Sequence, residues 1–395
     1  MFAGRTAWNL SPNRLARLLE KRRASGFPTL DLTDSNPTRC GLRYPEAAIL
    51  QALGLPGSLS YEPSPRGLPA AREAVAADYA ARGAAISPDD LVLTASTSEA
   101  YGFLFRLLAD PGDTVLVPAP CYPLFELLAR IHDVTLRHYA LSEEDGFSID
   151  IDSLTRAAES GARALLIVSP GNPTGAFLKR PELDSIAELC SRRGIPIICD
   201  EVFGDYDLCS SGDRVSTTAG QHRTLTFTLN GLSKMLALPQ IKLGWICVSG
   251  PDEARRESLR RLEVIADTYL SVATPVQVGL PDLLSLRPAI QREVMGRLRM
   301  NRNYLEDRAA PGGSITALPS EGGWCAVLSV PRTRSDEAWA LEILDRAGVH
   351  VHPGYFFDFP GEGHLVVSLL PRPEDFAEGL DRLLRCVESG LAGGA

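Results

Sequence analysis

Short apolar runs that alternate with helical stretches are the feature that most limits how this chain can fold. From about residue 69 the runs LVLTAS, DTVLVP, VTLRHYA, ALLIVSP, IPIICD, TLTFTL and GWICVSG recur between helical segments at about 123–131, 181–193 and 251–267. Strands that helices cover on both faces have this composition, because neither face meets water. The alternation therefore predicts a doubly wound α/β domain with a mostly parallel sheet.

The character of the sequence changes after about residue 275. A long helical region from Pro275 to Arg308 leads into the strand-like runs WCAVLSV and LVVSLL and a last helix from about Glu374. A chain of 395 residues is long enough for a large domain and a smaller one. We therefore predict a three-layer α/β/α domain of residues 46–275, a small α+β domain of residues 1–45 and 276–395, and a cleft between them.

Charge, hydropathy and cysteine usage exclude several classes of partner. A net charge of −9 without a basic run argues against a nucleic-acid partner. No apolar stretch is long enough for a signal peptide or a bilayer span, so no membrane partner is expected. The eight cysteines are scattered without a CxxC pair, which favours reduced thiols and a cytoplasmic location. Small molecules remain as the expected partners.

Polar residues follow three of the apolar runs. Asn172 comes after ALLIVSP, Asp200 ends IPIICD, and Lys234 follows TLTFTL in NGLSK. Ligands of open α/β sheets gather at the carboxyl ends of the strands, so these residues are expected to lie together. A desolvated lysine becomes a nucleophile toward an aldehyde, and a buried carboxylate needs a partner. The plainer alternatives are a solvated lysine, a helix cap and turn chemistry.

A predicted helix opens on hydroxyl-bearing residues directly after the run LVLTA. Ser96, Thr97 and Ser98 stand there, and the free N–H groups of a helix start, with its positive dipole end, suit a phosphate. Capping alone explains the same residues, and the two interpretations are compatible. Ser233 and Lys242 are further candidates for the phosphate. The whole edge suits an anionic aromatic cofactor.

In their order, the motifs resemble the class I/II aminotransferases of the fold-type I enzymes that use pyridoxal 5'-phosphate (PLP), which are aspartate aminotransferase-like. The motifs are YEPSPRGLPAAREAVA, TSEA, PAPCYP, SPGNPTG, CDEV, NGLSK followed by KLGW, EGGW and GVHVHPG. The resemblance covers nearly the whole chain. It implies the PLP transferase fold type I, PLP as cofactor, and amino transfer between an amino acid or amine and a 2-oxo acid in two half-reactions.

The resemblance also implies roles for individual residues. Lys234 matches the Schiff-base lysine, which also moves the proton between the substrate and the cofactor, and Asp200 matches the partner of the pyridine nitrogen. Asn172 matches the donor to the ring oxygen O3', and Tyr122 matches the residue that stacks on the ring.

Other positions match the phosphate site, the subunit interface and the substrate cover. Thr97, Ser98 and Ser233 match the phosphate-binding positions. Tyr61 resembles a tyrosine that reaches the phosphate of the neighbouring subunit, so the resemblance implies a homodimer. The loop 36–41 matches the segment that covers the substrate.

Two positions around the cofactor depart from the pattern. Lys242 stands where the family usually has an arginine, so it keeps the charge but not the bidentate fork. Phe203 stands where the family often has a tyrosine that bonds O3', and Tyr206 is a candidate to replace that donor.

The third departure concerns the substrate. Val366 stands where the family has the arginine that clamps the substrate carboxylate, and Arg372 and Arg39 are candidates for that task. The departure leaves open a PLP-dependent lyase or a biosynthetic enzyme that acts on an unusual amino substrate. A regulatory protein on the same fold is a further alternative, without a visible DNA-binding segment. His350 and His352, two apart on a predicted strand, are interpreted as structural, and no metal is expected.

Overall fold

The structure, a computed structural model, describes residues 1–209 and 212–392. The helices of these ranges are α1 (Arg14–Ala24), α2 (Glu46–Leu53), α3 (Pro69–Ala81), α4 (Thr97–Leu108), α5 (Leu124–Ile131), α6 (Ile151–Glu159), α7 (Arg180–Arg193), α8 (Leu232–Met235), α9 (Asp252–Asp267), α10 (Thr274–Val278), α11 (Leu280–Ser285), α12 (Arg287–Arg308), α13 (Asp336–Glu342) and α14 (Pro373–Ala392). The strands are β1 (Leu30–Asp31), β2 (Leu91–Thr94), β3 (Thr114–Ala119), β4 (Thr135–Ser142), β5 (Ser148–Ile149), β6 (Ala164–Val168), β7 (Ile197–Asp200), β8 (Thr226–Gly231), β9 (Gly244–Ser249), β10 (Thr316–Ala317), β11 (Cys325–Ser329), β12 (Val349–His350), β13 (His352–Pro353) and β14 (His364–Ser368).

A large mixed sheet of eight strands forms the centre of the described chain, in the order β2-β9-β8-β7-β6-β3-β4-β5. The pairs β8–β7, β7–β6, β6–β3 and β3–β4 are parallel. Strand β9 runs antiparallel to both of its neighbours, so β2 has the same direction as β8. The carboxyl ends of β2, β6, β7 and β8 therefore meet at one edge, and the predicted mostly parallel sheet is confirmed.

Helices cover both faces of this sheet, and the side chains of each strand alternate between the two layers. Leu166 and Ile198 point into an apolar cluster that α4, α5 and α9 also form. Their chain neighbours Leu165 and Ile197 point into the opposite cluster, with side chains of α6 and α7. Period-two alternation with apolar residues on both faces explains why the strands are continuous apolar runs. The predicted three-layer α/β/α arrangement is confirmed.

A second sheet, with the order β10-β11-β14-β13, is antiparallel throughout. The N-terminal segment joins this part of the molecule, because β1 pairs in parallel with β12. Helix α12 ties the segments together: Arg297 donates to the carbonyl oxygen of Cys40 at 2.7 Å and to that of Leu370 at 2.9 Å. The domain boundaries stay a prediction, and residues 393–395 lie outside the described part of the chain.

The predicted helical region from Pro275 to Arg308 is present, and the structure divides it into the three helices α10, α11 and α12. Pro281 and Pro288 stand in the first turns of α11 and α12, where their missing N–H groups cost no hydrogen bond. At Gly279 a Cβ atom would lie 2.4 Å from the carbonyl oxygen of Ala52, so the backbone of α2 approaches closely at this break. Within the ranges that the structure describes, none of the helices combines the length and the hydropathy that crossing a membrane requires.

Candidate active site

A cavity of about 440 Å³ lies at the carboxyl edge of the large sheet. One wall comes from that edge and includes Ser96, Thr97, Ser98, Tyr101, Tyr122, Val168, Asn172, Asp200, Phe203, Ser233, Lys234 and Lys242. The facing wall comes from the N-terminal segment and the antiparallel sheet and includes Thr33, Ser35, Trp324, Cys325, His352, Phe357, Val366, Val367 and Ser368. The structure thus brings together ten of the eleven residues that the sequence singled out.

Lys234 lies in the short helix α8, directly after β8. Its Nζ atom lies 5.0 Å from the ring centroid of Trp324 and 5.5 Å from that of Phe203. Burial lowers the pKa of Lys234, and the nearby Cys325 and Asp200 raise it by less. The neutral, nucleophilic form of this amine is therefore easier to reach than that of a lysine in water.

Gly231, the last residue of β8, fixes where α8 begins. A Cβ atom there would lie 2.9 Å from Gly244 Cα and 2.9 Å from the carbonyl oxygen of Leu243. Only glycine allows β8 and β9 to approach this closely. The glycine of NGLSK therefore positions the backbone that carries Lys234.

Asp200 ends β7, between β6 and β8, and its side chain is almost completely buried. The hydroxyl of Tyr101 donates to Asp200 Oδ2 at 2.7 Å, and the backbone N–H of Val202 donates to Oδ1 at 3.0 Å. Burial raises the pKa of Asp200, whereas these two hydrogen bonds lower it. The carboxylate is thus held in a fixed orientation, with Lys234 as a nearby positive charge.

The start of α4 has the capping geometry that its residues predict. Ser96 Oγ accepts from the N–H of Glu99 at 3.1 Å, and Glu99 Oε2 accepts from the N–H of Ala95 at 2.7 Å. The next two N–H groups, of Thr97 and Ser98, have no intrahelical acceptor, as in every α-helix. Because these residues line the cavity, the helix start presents donors and its positive dipole end to a bound anion.

Ser233 and Lys242 reach the same cavity from the other side of the sheet edge. Lys242 adopts a left-handed backbone conformation, with φ 51°, at the end of a 3-10 turn. A hydroxyl and an ammonium group thus accompany the helix start. Together these groups make one end of the cavity rich in hydrogen-bond donors and suited to an anion.

The aromatic residues surround the remaining space. Tyr122 borders the cavity with a partly exposed ring, and its edge contacts Phe125 at a centroid distance of 6.2 Å. Phe203 is buried and packs edge to face on Trp324, with centroids 5.4 Å apart. Asn172, with an amide that can donate and accept, lines the cavity after β6.

The cavity lining does not include all of the residues that the sequence proposed for it. Tyr61, 74% exposed, lies outside the cavity. Tyr206 is fully buried and donates its hydroxyl to the carbonyl oxygen of Lys234, so it does not replace the ring-oxygen donor. From the N-terminal segment, Thr33 and Ser35 line the cavity, and the covering role of the loop 36–41 stays a prediction.

Arg39 and Arg372, the two arginines proposed for the substrate carboxylate, both lie outside the cavity lining and are exposed. The side chain of Arg372 lies against Gly41, where a Cβ atom would be 2.9 Å from Arg372 Nε. Val366 lies in the facing wall, as the alignment of the motif implies. Within the described chain, the lining of this cavity contains no arginine.

Several lining residues were not predicted. Tyr101 lies one turn into α4 and directly follows TSEA, and a search for a buried hydroxyl next to that motif would have found it. Trp324 is the last residue of the EGGW motif, to which the sequence gave no role, and Cys325 follows it. His352, interpreted as structural, lines the cavity, whereas His350 bonds Asp31 at 3.1 Å.

The donor set fits an anionic aromatic cofactor with an aldehyde. A desolvated amine, a buried carboxylate and an anion-binding helix start converge on one cavity, and aromatic rings line the space between them. The amine can form a covalent bond to an aldehyde, the carboxylate can hold a protonated ring nitrogen, and the helix start can hold a phosphate.

Comparisons with known proteins agree with this chemistry. The sequence profile of the family "Aminotransferase class I and II" matches residues 34–383. The glutamate-pyruvate aminotransferase AlaA of Escherichia coli K12 is 26% identical over 368 residues, which cover 91% of this chain and 90% of that protein. The alanine aminotransferase of Mycobacterium bovis is 28% identical over 374 residues, which cover 91% and 86%.

Two further similarities concern only part of the chain or only the fold. Nicotianamine aminotransferase 1 of Oryza sativa subsp. japonica is 33% identical over 245 residues, which cover 60% of this chain but only 49% of that protein. The structure of an alanine aminotransferase from Pyrococcus furiosus superposes with a TM-score of 0.89 at 24% identity, over 98% of this chain and 100% of that chain, and shows the shared fold. From the match over residues 34–383, this chain is an enzyme of the class I and II aminotransferase family.

Proposed function

We propose that this aminotransferase works with PLP, bound covalently through Lys234 and held by the residues of the sheet edge. The observation that carries the proposal is the convergence of Lys234, Asp200 and the start of α4 on one cavity. A lysine with a lowered pKa attacks an aldehyde at lower pH than a lysine in water. Among the residues that the structure describes, Lys242 is the one other lysine that lines this cavity.

Each remaining residue has a task in holding the cofactor. Asp200, oriented by Tyr101, provides a negative charge for a protonated ring nitrogen. Ser96, Thr97 and Ser98, with Ser233 and Lys242, bind the phosphate. Asn172 donates to the ring oxygen, and the rings of Tyr122 and Phe203 pack against the cofactor.

The chemistry then depends on proton transfer by Lys234. When bound, PLP supplies an electron-withdrawing ring that acidifies the C–H bond beside the substrate amine. With PLP bound, Lys234 would take that proton as a general base and deliver it as a general acid to the former aldehyde carbon. The rings of Trp324 and Phe203 around Nζ exclude water from this exchange.

We further propose a homodimer in the cytoplasm. Tyr61 is exposed on this chain, which supports a role at a neighbouring subunit's phosphate site. All eight cysteines are free thiols in the structure, which supports a reducing compartment.

A labelling experiment tests the proposal. Borohydride reduction of the PLP-loaded protein, followed by peptide mass spectrometry, should find the pyridoxyl group on Lys234. The variant K242A should keep this label with a weaker affinity for PLP, whereas K234A should lose it. Label on another lysine in the wild-type protein would contradict the assignment.

The reaction class is tested separately. Mixing the loaded protein with a panel of amino donors should convert PLP to pyridoxamine phosphate, with release of an oxo compound. The family membership favours this outcome over the lyase alternative. Release of pyruvate and ammonia, without pyridoxamine phosphate, would favour elimination instead.

A further inference from the structure

The facing wall of the cavity meets the substrate, if the sheet edge holds the cofactor as proposed. Its side chains include Cys325, His352, Phe357, Val366 and Ser368. Lys234 and Lys242 are the two lysines among the described lining residues, no arginine is among them, and the cofactor uses both lysines. The charge balance of the facing wall therefore depends on His352.

His352 does not supply a positive charge at neutral pH. Burial and the nearby His350 lower the pKa of His352 to about 4, against a smaller opposite effect of Asp31. Asp31, whose side chain is exposed to solvent, accepts from Thr33 and pairs with His350, and these bonds lower its pKa to about 2. The wall thus carries no positive charge of its own at neutral pH.

Val366 makes the centre of this wall apolar. It lies in β14, between Val327 of β11 and His352 of β13, and only 1% of its surface is exposed. Phe357 and Phe147 pack in the same apolar cluster. A carboxylate placed against such a surface loses its hydration and gains no ionic partner from the described residues of this chain, which is strongly unfavourable.

Neutral hydrogen-bonding groups are nevertheless present. The hydroxyls of Ser35 and Ser368 line the cavity and can donate to or accept from an uncharged group. A substituent that is apolar or bears a hydroxyl can therefore be satisfied here, whereas a carboxylate cannot.

We propose that the amino donor of this enzyme is a primary amine or amino alcohol that carries no carboxylate on its amine-bearing carbon. The inference rests on the proposed PLP function. Val366 determines the specificity, because its side chain occupies the wall where a charge would otherwise be needed. The carbonyl compound of the other half-reaction meets the same wall, so we expect aldehydes and ketones to be better acceptors than 2-oxo acids of equal size.

The reaction balances without an external oxidant. The amine-bearing carbon loses its C–H proton to Lys234 and becomes a carbonyl carbon, and water supplies the carbonyl oxygen. PLP would accept the amino group and two electrons and become pyridoxamine phosphate, Lys234 would return to it the proton taken from the donor, and the water released would balance the water consumed. Each donor molecule therefore converts one PLP into one pyridoxamine phosphate.

Matched donor pairs test the proposal on the wild-type, PLP-loaded protein. The pairs are 2-phenylethylamine with phenylalanine, ethanolamine with serine, and ethylamine with alanine. Stopped-flow absorbance gives the half-reaction rate and the apparent Kd for each. We expect the amine of each pair to be favoured by about tenfold or more, the equivalent of one charge-assisted hydrogen bond. Equal or faster conversion of the amino acids overturns the proposal and leaves the aminotransferase function standing.

A pair of variants tests Val366 itself. V366R should reverse the preference toward the amino acid, whereas V366Q, similar in length but uncharged, should not. Circular dichroism and thermal melting check that both variants fold. A reversal in both variants, or in neither folded variant, contradicts the assignment of specificity to this position.

Binding without reaction gives an independent readout. Isothermal titration calorimetry of the loaded wild-type protein compares 3-phenylpropanol with 3-phenylpropionate, neither of which has an amine. We expect the alcohol to bind more tightly. Tighter binding of the carboxylate overturns the proposal even if no donor reacts, and the absence of reaction with every donor contradicts only the proposed function.

Discussion

The hydrogen bond from Tyr101 to Asp200 influences the pH at which the buried carboxylate stays ionised. Burial raises the pKa of Asp200 and the Tyr101 hydroxyl lowers it, so the variant Y101F should protonate Asp200 at a higher pH. A protonated Asp200 no longer balances a ring nitrogen. We expect the affinity of Y101F for PLP to fall about tenfold. The acidic side of its pH profile for PLP binding should move to higher pH.

Fluorescence titrations of PLP binding between pH 5 and pH 9 measure this effect. Tyr139 offers a matched control, because its buried hydroxyl donates to the carbonyl oxygen of Leu166 at 2.9 Å, outside the cavity lining. Y139F should lose about 1 kcal/mol of stability without a shift in the pH profile. If the pH profile of PLP binding shifts equally in Y101F and Y139F, Tyr101 affects binding only through the stability of the fold.

Lys234 should destabilise the protein when PLP is absent. Burial lowers its pKa below the ordinary 10.5, so the folded state holds the proton less well than the unfolded state. This penalty is complete below the folded-state pKa and fades as the pH rises toward 10.5. The PLP-free variant K234M should therefore melt higher than the wild type at pH 7, by roughly 1 °C for each kcal/mol of penalty removed.

Differential scanning calorimetry of the PLP-free proteins across pH checks this stability difference. The exposed Lys21 of α1 is the control, and K21M should leave the melting temperature unchanged. An equal gain in both variants would show that burial of the lysine is not the cause.

At the scale of single elements, the start of α4 combines a cap with a binding site. Removing the cap in S96A should lower the free energy of unfolding by about 1 kcal/mol. It should also weaken PLP binding, because the N–H groups of the first turn lose their orientation. Ser335 is an equivalent cap of α13, which accepts from the N–H of Ala338 at 3.2 Å outside the cavity lining.

S335A should lower the free energy of unfolding by a similar amount and leave the affinity for PLP unchanged. Chemical denaturation measures the first quantity. Parallel loss of PLP affinity in S96A and S335A would refute a specific role for the start of α4.

The elements of the large sheet could be predicted from the sequence because each strand is one buried apolar run. Residues such as Leu165 and Leu166 face opposite layers, yet both are apolar, so the pattern is visible without knowing the pairing. Strands of two residues, such as β1 and β12, contain too few residues for any period and exist only through their mutual pairing. The break at Gly279 likewise depends on the approach of a distant backbone.

The two walls of the active site differ in how far the sequence could predict them. Asp200, Asn172 and Lys234 directly follow strands whose ends must meet, so the sheet edge could be predicted residue by residue. Trp324 and His352 come from a different sheet, and nothing local in their sequence indicates which cavity they line. The family resemblance supplied Val366, but its apolar surroundings required the structure.

At the scale of the whole molecule, the proposed dimer makes each active site depend on two chains. K234A and Y61A should each be nearly inactive. K234A lacks the amine of its own site, and Y61A lacks the tyrosine that completes the site of the neighbouring subunit. In mixed dimers, one of the two sites has both residues intact. Random assortment of equal amounts should restore about a quarter of the wild-type sites.

Co-expression of the two variants with different affinity tags, followed by tandem purification, gives the hybrid for activity assays. A mixture of K234A with K234M is the control and should remain inactive. Hybrid dimers without recovered activity would rule out a shared site.

The two-walled cavity has an evolutionary consequence. Strands β11, β13 and β14 form one small hydrogen-bonded unit, and each contributes a side chain to the substrate wall. The large sheet carries the cofactor wall on separate strands. A single substitution on β14, such as the one that Val366 represents, can therefore redirect the enzyme toward a new class of amine while the inherited catalytic apparatus stays intact. Lineages of such enzymes can diversify by editing one surface at a time.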